Sequence, residues 1–178
     1  MHIYDVPLML VFYILLGPIK KNLALLAVFF NFIQSAVMIA YKLNLLEALF
    51  LLGSADYLKV FEPHQLHTLM YLAIKSDVNG FGIDFIFFGF ACLVYGYLIF
   101  KSGYLPRTLG VVLQIAGMCY LINSFALILD PKFANMLFPV ILIPCLVSEL
   151  SFSLWLIVKG VNVSKWEKQA SVGRVSGA

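Results

Sequence analysis

Charge is the scarcest ingredient of this chain. Only 12% of its 178 residues are Asp, Glu, Lys or Arg, about half the share of an ordinary soluble domain, so water is excluded as the solvent for most of the surface. Cysteine is almost as rare: Cys92, Cys119 and Cys145 are an odd set inside apolar runs with no CxxC pair. That excludes a disulfide framework and a thiolate metal knuckle, and leaves the three thiols as small packing groups. The three histidines lie outside the apolar runs, which leaves Ser148 and Ser151 without a neighbouring base, and no GxSxG, HExxH or Walker loop occurs. The expectation is therefore no enzyme and no haem, quinone or other cofactor. His64 and His67 share a helical face near Glu62, but no third ligand follows at a usable spacing, so no metal is expected. The net charge of +3 is not gathered into a solvated basic patch, so no nucleic acid is expected either.

What the chain has instead is lipid-compatible sequence. Apolar residues make up 62% of it and mean hydropathy is +0.97. Runs near the ~20 residues that cross a ~30 Å hydrocarbon core recur from end to end. The fold class expected is an all-α, polytopic transmembrane helix bundle of about five helices, one unit over residues 1–160, followed by a flexible tail over 161–178. Its partners would be the lipid bilayer and either a second copy or another membrane protein.

Glycine and proline punctuate the bundle. A first helix over 3–16 stops at Gly17-Pro18; no basic segment precedes it and no small-residue cleavage site follows, so a reversed first helix is expected rather than the alternative, a cleaved signal peptide. A second runs over 22–52 without Gly or Pro, ~45 Å at 1.5 Å per residue, and overshoots the bilayer. Glu62-Pro63 opens a third over 64–102, with its membrane span at 80–100 and a mixed-polarity extension before it. Gly103 suits a left-handed cap, and Pro106 opens a fourth helix over 106–129 in an antiparallel hairpin. Asp130-Pro131 breaks the chain before a fifth over 137–159, which Pro144 is expected to kink.

With five crossings the loops fall into two sets. One holds Lys20, Lys21, Lys101, Arg107, Lys159, Lys165, Lys168 and Arg174; the other holds Lys59 and Lys132 among Asp5, Asp56, Glu62 and Asp130. The positive-inside rule then gives an N-out, C-in topology. Trp155, Tyr104 and Trp166 near the basic ends, and Tyr41 and Tyr57 near the opposite ends, fit interfacial belts. Gly82, Gly89 and Gly96 recur every seven residues, as do Gly110, Gly117 and then Ser124. That spacing keeps small residues on one face, where helices approach closely in lipid.

Counting inward from the basic ends sorts the intramembrane polar groups into two layers. Glu149 falls ~15 Å from Lys159, near the midplane, where an ionised carboxylate costs roughly 2.5–3.5 kcal/mol on insertion scales. Asn31, Gln34 and Gln114 reach similar depth and are its expected hydrogen-bond partners; the four form one candidate polar site. An outer cluster comprises Lys42, Glu47, Asp77, Asp84 and Asn123, with Lys42 expected to pair with Asp84 by snorkelling. For Glu149 the structural reading is a hydrogen bond fixing helix register; for the outer cluster it is interfacial charge on long helices.

Several runs carry a resemblance. Residues 96–111 read Gly96-Tyr97-Leu98-Ile99-Phe100-Lys101-Ser102-Gly103-Tyr104-Leu105-Pro106-Arg107-Thr108-Leu109-Gly110-Val111; Tyr120-Leu121-Ile122-Asn123-Ser124, Glu149 and Leu154-Trp155-Leu156-Ile157-Val158-Lys159-Gly160 follow. Upstream stand Lys20-Lys21-Asn22-Leu23-Ala24-Leu25-Leu26 and Gly53-Ser54-Ala55-Asp56-Tyr57-Leu58. Together they resemble the bacterial membrane-protein family known as domain of unknown function 4386. The resemblance implies a multi-pass protein of the bacterial inner membrane and transfers no reaction. Members of that family carry a further helix and a long loop before the first segment, so a chain that starts inside the pattern is expected here. The functions in view are a transporter-like bundle for a small solute or a proton-linked substrate, a non-catalytic structural or partner subunit or envelope-stress component, and an intramembrane sensor.

Overall fold

The computed structural model describes residues 5–53 and 56–175. The expected helix start at residues 3 and 4, Ser54 and Ala55, the last three residues and the side chains of Tyr57 and Arg174 lie outside the described residues. Among these residues seven α-helices follow in order: α1 (Asp5–Leu16), α2 (Lys21–Leu51), α3 (Pro63–Ser102), α4 (Arg107–Leu129), α5 (Pro131–Leu137), α6 (Ile143–Val158) and α7 (Val163–Val175), with 3-10 turns at Asp56–Val60 and Val140–Leu142. Among the described residues there is no strand.

Among the described residues four segments are long and apolar enough to cross a membrane: α2, α3, α4 and Val140–Val158, which α6 completes. The chain is therefore an all-α, multi-pass membrane bundle. A fifth crossing by the first helix is not met over the described residues, because the 12 residues of α1 reach only ~18 Å. Local signals set the helix ends. Glu62 and Gln65 form a reciprocal capping box before Pro63, and Gly103, at φ 69°, takes the left-handed turn that a Cβ would strain. The Asp130 side chain accepts from the backbone N–H groups of Lys132 and Phe133 and starts α5. The helix expected over 137–159 is interrupted: α5 ends at Leu137, and α6 begins only at Ile143. Pro139 has no N–H to continue a helix and restricts the residue before it. Pro144, expected to kink a span, sits instead in the first turn of α6, where the missing N–H costs nothing.

The glycine seam joins α3 to α4. A Cβ on Gly96 would lie 2.7 Å from the Gly110 carbonyl oxygen, and one on Gly110 would lie 2.6 Å from that of Gly96. One heptad further, a Cβ on Gly117 would lie 2.8 Å from the Gly89 oxygen. Backbone thus rests on backbone in two layers, which is how dispersion compensates for the missing hydrophobic drive in lipid. At the third layer Gly82 meets the Leu127 side chain.

At the basic end, two donors converge on one carbonyl. Leu15 lies in the last turn of α1, where carbonyls lack an intrahelical partner. The Tyr104 hydroxyl donates to the Leu15 oxygen from the α3–α4 turn, and Trp166 Nε1 donates to it at 3.1 Å from α7. Tyr104 is buried, and that burial pushes its phenol pKa upward. The segment expected as a loose tail is therefore helical over Val163–Val175, with the Asn162 side chain accepting from Lys165 N and the Asn162 N–H reaching the Tyr104 carbonyl.

Substituting Gly110→Ala should cost about 1–3 kcal/mol through overpacking; a lowered melting temperature of the detergent-solubilised protein checks it, with the exposed Thr108→Ala unchanged. Trp166→Ala should release α7, read as faster proteolysis within 163–175 while the bundle remains intact.

Candidate functional site

Helices α1, α2, α3, α4 and α6 border an open-sided cavity of about 510 Å³, within the range of small-molecule sites. Its lining combines Asp5, Asn31, Gln34, Tyr41, Asp84, Tyr95, Glu149 and Ser153 with Phe12, Phe81, Phe85, Phe88 and Phe152. On the side of the basic end the rings close it: Phe12 stacks on Tyr95 at 4.8 Å and on Phe152 at 5.5 Å, tying α1 to α3 and α6.

Each polar group is placed by its helix. Gly80 leaves room for Tyr41, since a Cβ there would lie 2.2 Å from the Tyr41 Cβ. Tyr41 is buried against Asp84. Asp84 itself is 1% exposed. Glu149 stays open on α6, and the Tyr120 hydroxyl of α4 donates to its Oε1 at 2.5 Å. Phe85 and Phe88 pack on the Tyr120 ring at 4.7 and 5.1 Å, fixing the rotamer from which the hydroxyl reaches Glu149.

The sequence reading of this site is partly corrected. Glu149, Asn31 and Gln34 do line one cavity, but Gln114 does not: it packs on Gly96 in the α3–α4 seam. Among the described residues the side chain hydrogen-bonded to Glu149 is Tyr120, not Asn31, Gln34 or Gln114. The signal for Tyr120 in the sequence is its depth: it lies mid-span on α4, ~20 Å from Arg107, away from the interface where tyrosine usually sits. The outer cluster divides too. Lys42 pairs with Asp77, Nζ to Oδ1 3.2 Å, rather than with Asp84, because Asp84 points inward toward Tyr41. Lys42 also lies 4.7 Å from the centre of the Tyr41 ring. Glu47 belongs to a separate groove of about 440 Å³ with Asn44 and Ser76, and Asn123 is buried away from both. His64 Nδ1 meets Glu62 Oε2 at 3.2 Å on an exposed turn; among the described residues no three His, Cys, Asp or Glu side chains are grouped to hold a metal ion.

Comparison with known proteins gives a family. The family model described as domain of unknown function (DUF4386) matches residues 1–160. The chain belongs to that family. Residue 160 also closes the bundle, two residues after α6, so α7 lies beyond the part that DUF4386 describes. A relative from Archaeoglobus fulgidus, described as an uncharacterized protein, is 25% identical over 163 residues, covering 92% of this chain and 81% of the relative. No solved structure matches.

Tyr120→Phe should free the Glu149 carboxylate while keeping the ring packing. The expected cost is about 0.6–1.7 kcal/mol, the average to the maximum measured for interhelical hydrogen bonds in a membrane protein. Thermal unfolding in detergent checks it, with Tyr120→Leu falling further because the ring contacts are lost as well.

Proposed function

We propose that this chain is a transporter-like bundle of the bacterial inner membrane that binds a small solute or a proton-linked substrate in the cavity, with Glu149 as the binding carboxylate. The observation behind this reading is an exposed carboxylate at midplane depth inside a cavity of ligand size. Intramembrane ionisable groups of this kind are expensive and mark substrate or proton paths. Tyr120 is the positioning residue, since it holds one carboxylate oxygen and leaves the other for a ligand or proton. The basic end, with Lys20, Lys21, Lys101, Arg107 and Lys159, is assigned to the cytoplasm by the positive-inside rule. No catalytic role is proposed.

The rival reading is a non-catalytic subunit in which the Tyr120–Glu149 bond only pins α4 to α6. Glu149→Gln separates the two, because an amide oxygen still accepts from Tyr120 but cannot take up a proton. Reconstituted in vesicles with an imposed pH gradient, the variant should lose gradient-driven solute uptake at least tenfold while melting within a few degrees of wild type. Uptake equal to wild type, or no uptake by either protein, would leave the structural reading standing.

A further inference from the structure

We infer that the groove between the α3–α4 turn and the start of α7 binds the phosphate headgroup of an anionic phospholipid. The groove holds about 400 Å³ and is lined by Trp155, Lys159, Gly160 and Lys165 together with Tyr104 and Pro106 of the turn. It shares no residue with the cavity at Glu149. Depth is the first argument. Three spanning segments meet here, ending or starting at Ser102, Arg107 and Val158. The turn and Lys159 therefore stand just outside the hydrocarbon, in the layer that lipid headgroups occupy. Trp155, one helical turn further in, is an interfacial ring.

Charge is the second argument. Across segments 17–22, 101–108 and 159–175 the one acidic residue is Glu167, whereas Lys or Arg occurs in all three. Glu167 does not line the groove. Among the described residues neither Lys159 nor Lys165 forms an ion pair. Lys159 Nζ lies 5.4 Å from the centre of the Trp155 ring, a contact that orders the ammonium without neutralising it. Two such cations at headgroup depth attract phosphate oxygens, while a zwitterionic lipid brings an ammonium that they repel. The walls are also fixed beforehand. The Asn162 N–H donates to the Tyr104 carbonyl and the Asn162 side chain accepts from Lys165 N, which holds α7 against the turn. A lipid is favoured over a free phosphate ion because Leu105, Trp155 and Val161 add apolar wall beside the lysines. Ile157 and Val158 are exposed at the depth where acyl chains begin. A glycerol ester and its chains use these surfaces, and inorganic phosphate does not.

Trp155 and Trp166 are the chain's two tryptophans, so quenching by lipids with brominated acyl chains reads the lipid beside the groove. The full chain is reconstituted in phosphatidylcholine vesicles containing a rising fraction of brominated phosphatidylglycerol, with brominated phosphatidylcholine as the control. Half-maximal quenching should need about a tenfold lower fraction of the anionic lipid. Lys159→Gln combined with Lys165→Gln should abolish that preference. Lys20→Gln combined with Lys21→Gln removes the same charge from the same end outside the groove and should keep it, as should Lys159→Arg combined with Lys165→Arg. If the first pair lowers the melting temperature, Lys165→Gln alone replaces it and should weaken the preference about threefold. Equal quenching of the wild type by the two lipids overturns the inference. An equal loss in both glutamine pairs also overturns it, because the attraction would then be diffuse over the basic end. Exchanging chloride for inorganic phosphate at fixed ionic strength should leave quenching unchanged; relief of quenching would assign the groove to a soluble phosphate and overturn the lipid assignment. Solute uptake enters none of these measurements, so they stand or fall apart from the transport reading.

Discussion

Where α3 crosses α4, Gly96 and Gly110 each place a hydrogen where any larger group would strike the other helix's backbone. Lipid tails are as apolar as leucine, so two helices gain little by hiding side chains from them; they gain by approaching closely enough for dispersion and dipole contacts. The two glycine layers therefore set the distance at which every other group on these helices must fit. Asp84 and Tyr95 face the cavity from α3, while Tyr120 reaches Glu149 from α4. An outward shift of α4 by even one methyl width would move the Tyr120 hydroxyl out of hydrogen-bond range, because Phe85 and Phe88 on α3 fix its ring.

The second constraint acts at the basic end. A helix that stops inside protein leaves carbonyls without partners, and each must be met by a side chain, by water or by a tighter turn. Leu15 is met twice, by Tyr104 and by Trp166. This ties the α3–α4 turn and α7 to the end of α1, whose ring Phe12 then closes the cavity against Tyr95 and Phe152. The chain beyond the family's matched region thus contributes to holding a wall of the site.

Sequence reading reached the features that act locally or periodically. The Glu62-Pro63 start of α3, the Gly103 cap and the seven-residue glycine spacing all stand in the structure, because propensity, capping and heptad register are encoded within a few residues. The long apolar runs likewise marked the membrane spans. What could not be read was partner choice between helices. Depth counting put Lys42 close to Asp84 in height, but rotation about the helix axes decides which groups meet, and the axes turn Asp84 inward and Asp77 toward Lys42. Gln114 failed for the same reason: its depth was suitable, but its face is the glycine seam. The helical tail was hidden because its docking depends on Leu15, ~150 residues away in sequence, and nothing local in a polar Ser- and Val-rich segment signals that contact.

On the transport reading proposed above, the cost of placing a carboxylate at Glu149 has a use. Insertion of an ionised carboxylate at midplane depth costs roughly 2.5–3.5 kcal/mol. An interhelical hydrogen bond in a membrane returns about 0.6–1.7 kcal/mol, so the Tyr120 bond alone leaves roughly 1–3 kcal/mol uncompensated. A register pin between α4 and α6 would be made at lower cost by a glutamine, which accepts the same phenol proton without bringing a charge. The residue present is the costlier one, and it is open to the cavity. A proton taken up at Glu149 removes the whole of the remaining penalty, whereas a second neutral hydrogen bond removes about 0.6–1.7 kcal/mol of it.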